Sequence, residues 1–306
     1  MTKDDTACPF CQSKDLVLKY VLTDPAYHAA KCRQCAFVAM HPYPSDTFLD
    51  KHYKARALYN SGQARNSYDR AVADRASLID AMLRRADITS RCGPSIDFGA
   101  GVGIAVAAQA SLGFKAVGVE TNPHATREGR ETFGVEIEDL TFDEMPYDLR
   151  LFTLFEVLEH IKYPADFLSA ACRHMAPGSA IIGSVPNYNG LARYVRGKHS
   201  IALIWPEHIN QFTRKTLAQT LTAAGFDVVY IGFPPPYGVV FSLGVRAWLR
   251  RALPEGILKK AAIDAVTFIK KHVAYPLPNA FAESTGLLGH GLVFVAVPHK
   301  AERVAD

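Results

Sequence analysis

The stretch that decides the fold is SIDFGAGVGIAVAA, residues 95–108. It holds a short apolar segment with one acidic residue, then three glycines at alternate positions, then a helix-like run. A glycine loop between a strand and a helix lets the backbone approach a ligand where any side chain would block it. A dinucleotide-binding loop would have its third glycine at position 104, which is Ile104. The spacing of Gly99, Gly101 and Gly103 therefore disfavours a nicotinamide dinucleotide.

Apolar strands alternate with helical segments on the C-terminal side of this loop. The pattern predicts strands at about 95–98, 115–120, 135–137, 149–155, 180–185, 227–233 and 292–297, with helices between most of them. Strands that are apolar on both faces are typical of a parallel sheet covered on both sides. We expect an α/β fold with a doubly wound, mostly parallel, seven-stranded Rossmann-like sheet.

Two acidic residues stand at strand ends beside the loop. Asp97 ends the first of these strands and can accept a hydrogen bond from a ligand ammonium group. Glu120 ends the second strand, where a carboxylate suits the two hydroxyls of a ribose. The order strand, loop, helix, strand, acid predicts a nucleoside-containing ligand more specifically than the glycines alone.

These residues resemble the class I S-adenosylmethionine-dependent methyltransferases. DFGAGVG (97–103) is similar to their glycine loop, and GVETNP (118–123) to their second-strand acid. LFTLFEVLEHIKYPADFL (151–168) is similar to their fourth-strand stretch. The resemblance covers about residues 93–233 and the final strand, and it implies S-adenosylmethionine as the cofactor. The cofactor-binding set that it implies is Asp97, Gly99, Gly101, Gly103, Glu120, Asp139, Phe155 and Glu156.

Three residues are candidates for catalysis. His160 resembles the family histidine that faces the substrate, and Glu207-His208 resembles an acid–histidine pair of ketosugar C-methyltransferases, although Trp205 stands where those enzymes have Tyr. A histidine beside a carboxylate can accept a hydroxyl or α-carbon proton near neutral pH. Two structural alternatives stay open. His160 would cap its helix and bond to backbone, or Glu207 and His208 would brace a loop over the pocket.

The segment VPNYNG follows the fifth strand of the sheet. Its residues Asn187 and Tyr188 lie at the carboxyl end of that strand. Ligands of α/β proteins bind at such ends. We therefore predict that both residues face the substrate.

Four cysteines form two C-x-x-C pairs near the N-terminus, with a predicted strand, LVLKYVL, between the pairs. They are Cys8, Cys11, Cys32 and Cys35. The spacing is typical of a tetrahedral structural Zn²⁺ site, which would supply the folding energy of a module too small to hold its own core. The alternative is four unrelated buried thiols. We predict a zinc-ribbon-like module over residues 1–45, similar to the front end of some sugar methyltransferases.

The rest of the chain is predicted to contain a helical linker or lid at 46–92 and the methyltransferase domain at 93–306, with a basic amphipathic helical insertion at about 237–285. Between Val239 and Tyr275 there are seven basic and two acidic residues. This segment is predicted to be a substrate cap or dimer contact or, alternatively, a helix at an anionic membrane. We expect a cytoplasmic protein, peripheral to the inner membrane face if the second interpretation holds. The sequence leaves the oligomeric state open.

These observations predict methylation of a small molecule or glycan, including a sugar or lipid-linked saccharide. Methylation of RNA, with the zinc module gripping the substrate, is the second interpretation. Residues 1–45 hold five basic and four acidic residues, so no basic stripe supports it and no nucleic acid partner is expected. A non-catalytic zinc-containing binding protein is the third interpretation, and the complete loop and both acids argue against it.

Overall fold

The computed structural model describes residues 4–22, 24–49, 65–190, 193–194, 204–233 and 291–299. The strands are β1 (Leu16–Val21), β2 (His28–Cys32), β3 (Val38–His41), β4 (Pro94–Phe98), β5 (Lys115–Val119), β6 (Glu136–Glu138), β7 (Leu149–Phe155), β8 (Met175–Pro186), β9 (Asn210–Gln211), β10 (Phe226–Gly232) and β11 (Gly291–Pro298). The α-helices are α1 (Arg65–Arg85), α2 (Ile104–Ser111), α3 (Pro123–Phe133), α4 (Pro164–Arg173) and α5 (Arg214–Ala223).

The larger sheet has seven strands in the order β10-β11-β8-β7-β4-β5-β6. The neighbouring pairs from β8 to β6 are parallel, and β11 is antiparallel to both β8 and β10. The sheet therefore confirms the predicted doubly wound, mostly parallel Rossmann-like fold. Each of its seven strands overlaps one of the predicted apolar runs.

Helices cover both faces of this sheet because its side chains alternate between two apolar layers. Leu151 packs on one face in a cluster with Ile79 and Leu83 of α1. Phe152, the next residue, belongs to the cluster on the other face, which contains Leu168 of α4. Neighbouring residues of a single strand thus pack against helices on opposite faces of the sheet.

Strand β8 begins earlier than the sequence predicts. The sequence predicts this strand at about 180–185, whereas it runs continuously from Met175 to Pro186. The register with β7 shifts between Leu149 and Leu151, which is the sign of a bulge. Gly178 lies in this bulge with a φ of 76°, a conformation that glycine adopts readily.

The N-terminal module is a second sheet with the order β1-β2-β3-β9 and antiparallel pairing throughout. Its fourth strand comes from far along the chain, since Val38 pairs with Gln211 and Ala39 with Asn210. Phe37 of the module packs edge-on against Phe212, with ring centroids 5.6 Å apart. The sequence predicted one strand here, and the division into domains at 45 and 92 stays a prediction.

Among the described residues no helix is long and apolar enough to cross a membrane. The basic insertion predicted at 237–285, with its membrane contact at 239–275, lies outside the described residues. So do residues 50–64 of the predicted helical linker.

Candidate active site

The carboxyl ends of four neighbouring strands form one edge of the larger sheet. In sheet order these strands are β7, β4, β5 and β6, so β4 lies at the point where the chain order reverses. The residues that follow them are Glu156, the glycine loop, Glu120 and Asp139. Ligands of open α/β sheets bind at such a switch point. The fold therefore brings the predicted cofactor-binding residues to one edge.

The glycine loop needs its glycines for different reasons. Gly99, Gly101 and Gly103 have φ angles of 71°, 53° and 82°, which disfavour other residues. A Cβ on Gly99 would lie 2.5 Å from Val157 Cγ2, so packing also excludes a side chain there. A Cβ on Gly101 would meet nothing within 4 Å. The loop therefore leaves open space beside Gly101, as a ligand cradle requires.

Glu120 is held in place by the loop that it faces. Its Oε2 accepts a hydrogen bond from the backbone N–H of Gly101, and its Oε1 accepts one from the N–H of Asn122, both at 2.8 Å. Each carboxylate oxygen can accept a second bond. The carboxylate is thus oriented and retains capacity for two ligand hydroxyls.

Asp97 is almost fully buried, with 3% of its surface exposed. It accepts a hydrogen bond from Thr153 Oγ1 at 2.5 Å, and Thr153 in turn accepts one from Gln109 Nε2 at 2.7 Å. Burial raises the pKa of Asp97 to about 7, although the Thr153 bond and the charge of Arg75 oppose the shift. A cationic ligand group beside Asp97 would favour its ionised form.

Phe155 and Glu156 stand at the end of β7, on the opposite side of β4 from Glu120, and Phe155 contacts a residue that the sequence did not predict. The Arg75 guanidinium lies 3.6 Å from the centroid of the Phe155 ring. Glu156 has a left-handed φ of 57° and accepts a hydrogen bond from Ser184 Oγ at 2.6 Å. Arg75 belongs to α1, and no local motif could have connected this arginine with the loop.

Asp139 stands directly after β6 and is exposed. It lies at the same sheet edge as the other cofactor-binding candidates, at the far side of Glu120. This placement agrees with a contact to the distal part of a nucleoside.

His160 and His208 lie together although 47 residues separate them in the chain. Their rings make an edge-to-face contact with centroids 4.9 Å apart. His160 Nδ1 lies 2.8 Å from the backbone oxygen of Glu207. The structure thus brings the three predicted catalytic residues together, and Glu207 contributes its carbonyl group to His160. This is also the backbone bond of the structural alternative for His160.

Glu159 adjoins both histidines, and sequence reasoning missed it as a site residue. Its side chain is buried, and its Oε1 lies 3.7 Å from His160 Nε2. Burial, with the charge of Glu156 as a second cause, raises the pKa of Glu159 well above its usual value. The signal available in the sequence was its position directly before His160, within the quoted stretch at 151–168.

Asn187 and Tyr188 are buried after β8, and the structure uses both internally. Asn187 Oδ1 accepts a hydrogen bond from the N–H of Asn189 at 3.1 Å. Tyr188 N donates to the carbonyl oxygen of Phe212 at 2.8 Å, and the Arg193 guanidinium lies 4.2 Å from the Tyr188 ring centroid. Their predicted contact with substrate stays a prediction.

The four N-terminal cysteines converge, with their sulfur atoms all within 4.8 Å of one another. Cys8 Sγ lies 3.5 Å from Cys35 Sγ, and Cys11 Sγ lies 3.6 Å from Cys32 Sγ. The two remaining cysteines are elsewhere, since Cys92 is exposed and Cys172 bonds to a backbone oxygen. The first four thus form a cluster of metal-ligand type.

A family model described as a methyltransferase domain matches residues 68–231. The chain belongs to the methyltransferase-domain family. The match includes the glycine loop and both site histidines, together with Asp97, Glu120, Asp139 and Glu156. Membership of this family makes the protein a methyltransferase.

Solved structures of other methyltransferases are similar to this methyltransferase domain in fold. An S-adenosylmethionine-dependent methyltransferase from Clostridium acetobutylicum is 8% identical, with 83% of this chain and 100% of that chain covered and a TM-score of 0.48. One from Archaeoglobus fulgidus is 20% identical, with 72% and 93% covered and a TM-score of 0.48. The comparison with curated protein sequences gave no match.

Proposed function

We propose that the protein transfers a methyl group from S-adenosylmethionine to a small molecule or glycan. The observation that carries the proposal is Glu120 at the switch point of the sheet. Its carboxylate is oriented by two backbone N–H groups and faces the open space beside Gly101. Membership of the methyltransferase-domain family supports the reaction class.

The cofactor-binding residues fit the parts of S-adenosylmethionine one by one. Buried Asp97 would accept from the ammonium group of the methionine part, and Glu120 would accept from the two ribose hydroxyls. Asp139 would bind the adenine amino group, while Phe155 and Glu156 would line the cofactor's edge. When bound, the cofactor supplies a methyl group on a positively charged sulfur. The chain then has to position an acceptor and remove its proton.

The acceptor side of the site is the region of His160 and His208. Tyr27, Phe48 and Trp205 form an aromatic cluster, with Tyr27 and Trp205 ring centroids 4.2 Å apart, and Trp205 stands three positions before His208 in the chain. All three rings are partly exposed. Such rings offer apolar area for packing against a small organic acceptor. The near-balanced charge of residues 1–45 gives RNA no comparable surface.

We also propose that the cysteine cluster binds one structural Zn²⁺. Four thiolates around tetrahedral zinc have S–Zn distances of about 2.3 Å, and the observed sulfur separations fit that arrangement. The residues beside the cluster pack into the main core, since Phe10 stacks on Phe37 and Phe37 contacts Phe212. Zinc would therefore stabilise the N-terminal sheet, of which β9 is the fourth strand.

The test of the function is transfer of labelled methyl groups. The full chain is incubated with methyl-labelled S-adenosylmethionine and a cell extract fractionated into metabolites, glycans and glycolipids, RNA, and protein. We expect label in the metabolite or glycan fractions, and at least tenfold less label with a Glu120→Ala variant when the cofactor concentration is below the wild-type Kd. Label that enters only RNA would overturn the proposed acceptor class and favour the second interpretation. No transfer to any fraction, with no cofactor binding, would favour the non-catalytic interpretation.

A further inference from the structure

Three potential metal ligands converge beside the acceptor site. Glu159 and His160 lie in the short 3₁₀ helix that follows β7, and His208 lies just before β9. One ligand atom of each residue lies within 4.8 Å of those of the other two. Small side-chain rotations would bring them to the distances of about 2.0–2.2 Å that N and O ligands take around a divalent transition metal.

The main evidence for a bound cation is the buried carboxyl group of Glu159. The residue is 1% exposed, and neither carboxyl oxygen has a hydrogen-bond partner among the described residues. Buried polar atoms in native proteins are almost always satisfied, and an uncompensated buried carboxylate is costly. A cation bound between Glu159 and the imidazoles would satisfy it.

The imidazole of the neighbouring residue, His160, is held in a tautomer that can bind a metal ion. A carbonyl oxygen can only accept a hydrogen bond, so His160 Nδ1 must donate its N–H to the backbone oxygen of Glu207. In the neutral ring this leaves Nε2 with a lone pair, and Nε2 is the atom 3.7 Å from Glu159 Oε1. Metal-binding histidines are commonly fixed in this way through their other nitrogen.

We propose that Glu159, His160 and His208 bind one divalent transition-metal cation. Two imidazole nitrogens and one carboxylate oxygen favour Zn²⁺, Mn²⁺, Fe²⁺ or Co²⁺ over Mg²⁺ and Ca²⁺, which prefer oxygen ligands throughout. Three protein ligands leave coordination positions open for water or for an acceptor oxygen. This centre is separate from the cysteine cluster and differs from it in ligand chemistry.

The use of the cation, though not its binding, rests on the proposed function. An acceptor hydroxyl bound at an open position would have a lowered pKa and would lose its proton to water. The oxygen would then form a bond to the methyl carbon while the carbon–sulfur bonding pair stays on sulfur. The products are a methyl ether and S-adenosylhomocysteine.

The test is a titration of the full chain with Mn²⁺, on protein prepared with one Zn²⁺ per chain so that zinc fills only the cysteine cluster, followed by electron paramagnetic resonance of the free ion. Mn²⁺ binds thiolates weakly, so it does not compete for the cysteine cluster. The titration therefore measures binding at the site with nitrogen and oxygen ligands. We expect one Mn²⁺ per chain, with affinity at least tenfold weaker in Glu159→Gln and His208→Ala. His124→Ala, which removes an exposed histidine outside the cluster, is the matched control and should bind as the wild type does.

Two results would overturn the proposal: wild-type protein that binds neither Mn²⁺ nor Co²⁺ at millimolar concentration, or folded ligand variants that bind normally. The first would indicate that Glu159 is simply protonated. The wild-type stoichiometry tests the site even where a variant fails to fold. S-adenosylmethionine binding is measured on the same samples, so failure of the proposed function and failure of the cation site are separate readouts.

Discussion

Asp97 and Glu120 end adjacent parallel strands, yet their carboxyl groups lie in different surroundings. Asp97 is enclosed by Thr153 and the sheet core, whereas Glu120 is bonded to two backbone N–H groups at the open edge. Burial raises the pKa of Asp97 to about 7. The protonation of Asp97 therefore changes near neutral pH.

Cofactor binding should depend on pH through Asp97. Pairing with an ammonium group requires the carboxylate, so affinity should rise as pH increases through about 7. The ammonium group of the ligand loses its own proton near pH 8, which offsets part of this rise. With both titrations included, we expect S-adenosylmethionine to bind about five times more weakly at pH 6 than at pH 7.5. Calorimetry at the two pH values measures this difference.

Asp97→Asn is the matched variant for that measurement. It should bind more weakly at both pH values and lose most of the pH dependence. The groups facing Asp97 are Thr153, Arg75 and Glu120. A variant that keeps the full pH dependence would assign it to another group and contradict the role of Asp97.

His208→Ala should reduce turnover by a factor of about 10²–10⁴ while leaving cofactor affinity nearly unchanged. The reason is that our proposal places His208 on the acceptor side of the site, whether it acts as a base or as a cation ligand. Initial rates and calorimetry on the same preparation give the two values. His124→Ala is the control and should keep wild-type turnover. Near-normal turnover in His208→Ala would show that His208 has no role in the reaction.

At the residue scale the sequence predicted what local order encodes. The loop glycines and Glu120 follow their strands directly and Asp97 lies near the end of its strand, so a strand–loop–helix pattern was sufficient to find them. Arg75 and the pairing of Glu159 with His208 depend on contacts between distant segments. No local pattern carries that information.

Among the elements, β9 has the largest effect on the site for its size. Its two residues pair with β3, and the segment immediately before it holds Glu207 and His208. The sheet of the cysteine module thereby fixes the position of catalytic candidates from the other end of the domain. Runs such as LRLFTLF revealed the long strands, but a two-residue strand has no periodicity from which to predict it.

Loss of zinc should therefore weaken the whole domain. Cys32→Ser should abolish zinc binding and lower the melting temperature by about 5 °C or more, because the folding energy of the module depends on the metal. Elemental analysis and a thermal melt measure the two effects. Cys92→Ser, at an exposed cysteine outside the cluster, is the control and should retain both zinc and stability. Zinc-free wild-type protein would contradict the assignment.

Across the whole molecule, the cysteine module and the large sheet share one apolar core. Phe37 and Phe152 belong to the same cluster of buried residues, and Tyr43 connects the two parts by donating a buried hydrogen bond to Asn210 Oδ1 at 2.7 Å. The sequence predicted the seven strands of the large sheet in order but only one strand of the module. It could not predict their contact, because the pairing residues are more than 160 positions apart.

Tyr43→Phe should lower the free energy of unfolding by about 1–2 kcal/mol, because it leaves the buried Asn210 oxygen without this donor. Chemical denaturation measures the change. Tyr147→Phe removes a hydroxyl from an exposed tyrosine and should change stability by less than about 0.5 kcal/mol. Equal stability of both variants would show that the junction contributes little.

The measurement that tests the central claim most directly is calorimetric titration of S-adenosylmethionine into the wild-type chain and Glu120→Ala. We expect one molecule bound per wild-type chain and at least tenfold weaker binding in the variant, since a charge-assisted contact to two hydroxyls contributes about 1.5–3 kcal/mol. Glu136→Ala, at an exposed glutamate on β6, should bind like the wild type. Absence of wild-type binding, unchanged affinity in folded Glu120→Ala, or binding of a nicotinamide dinucleotide instead would contradict the account.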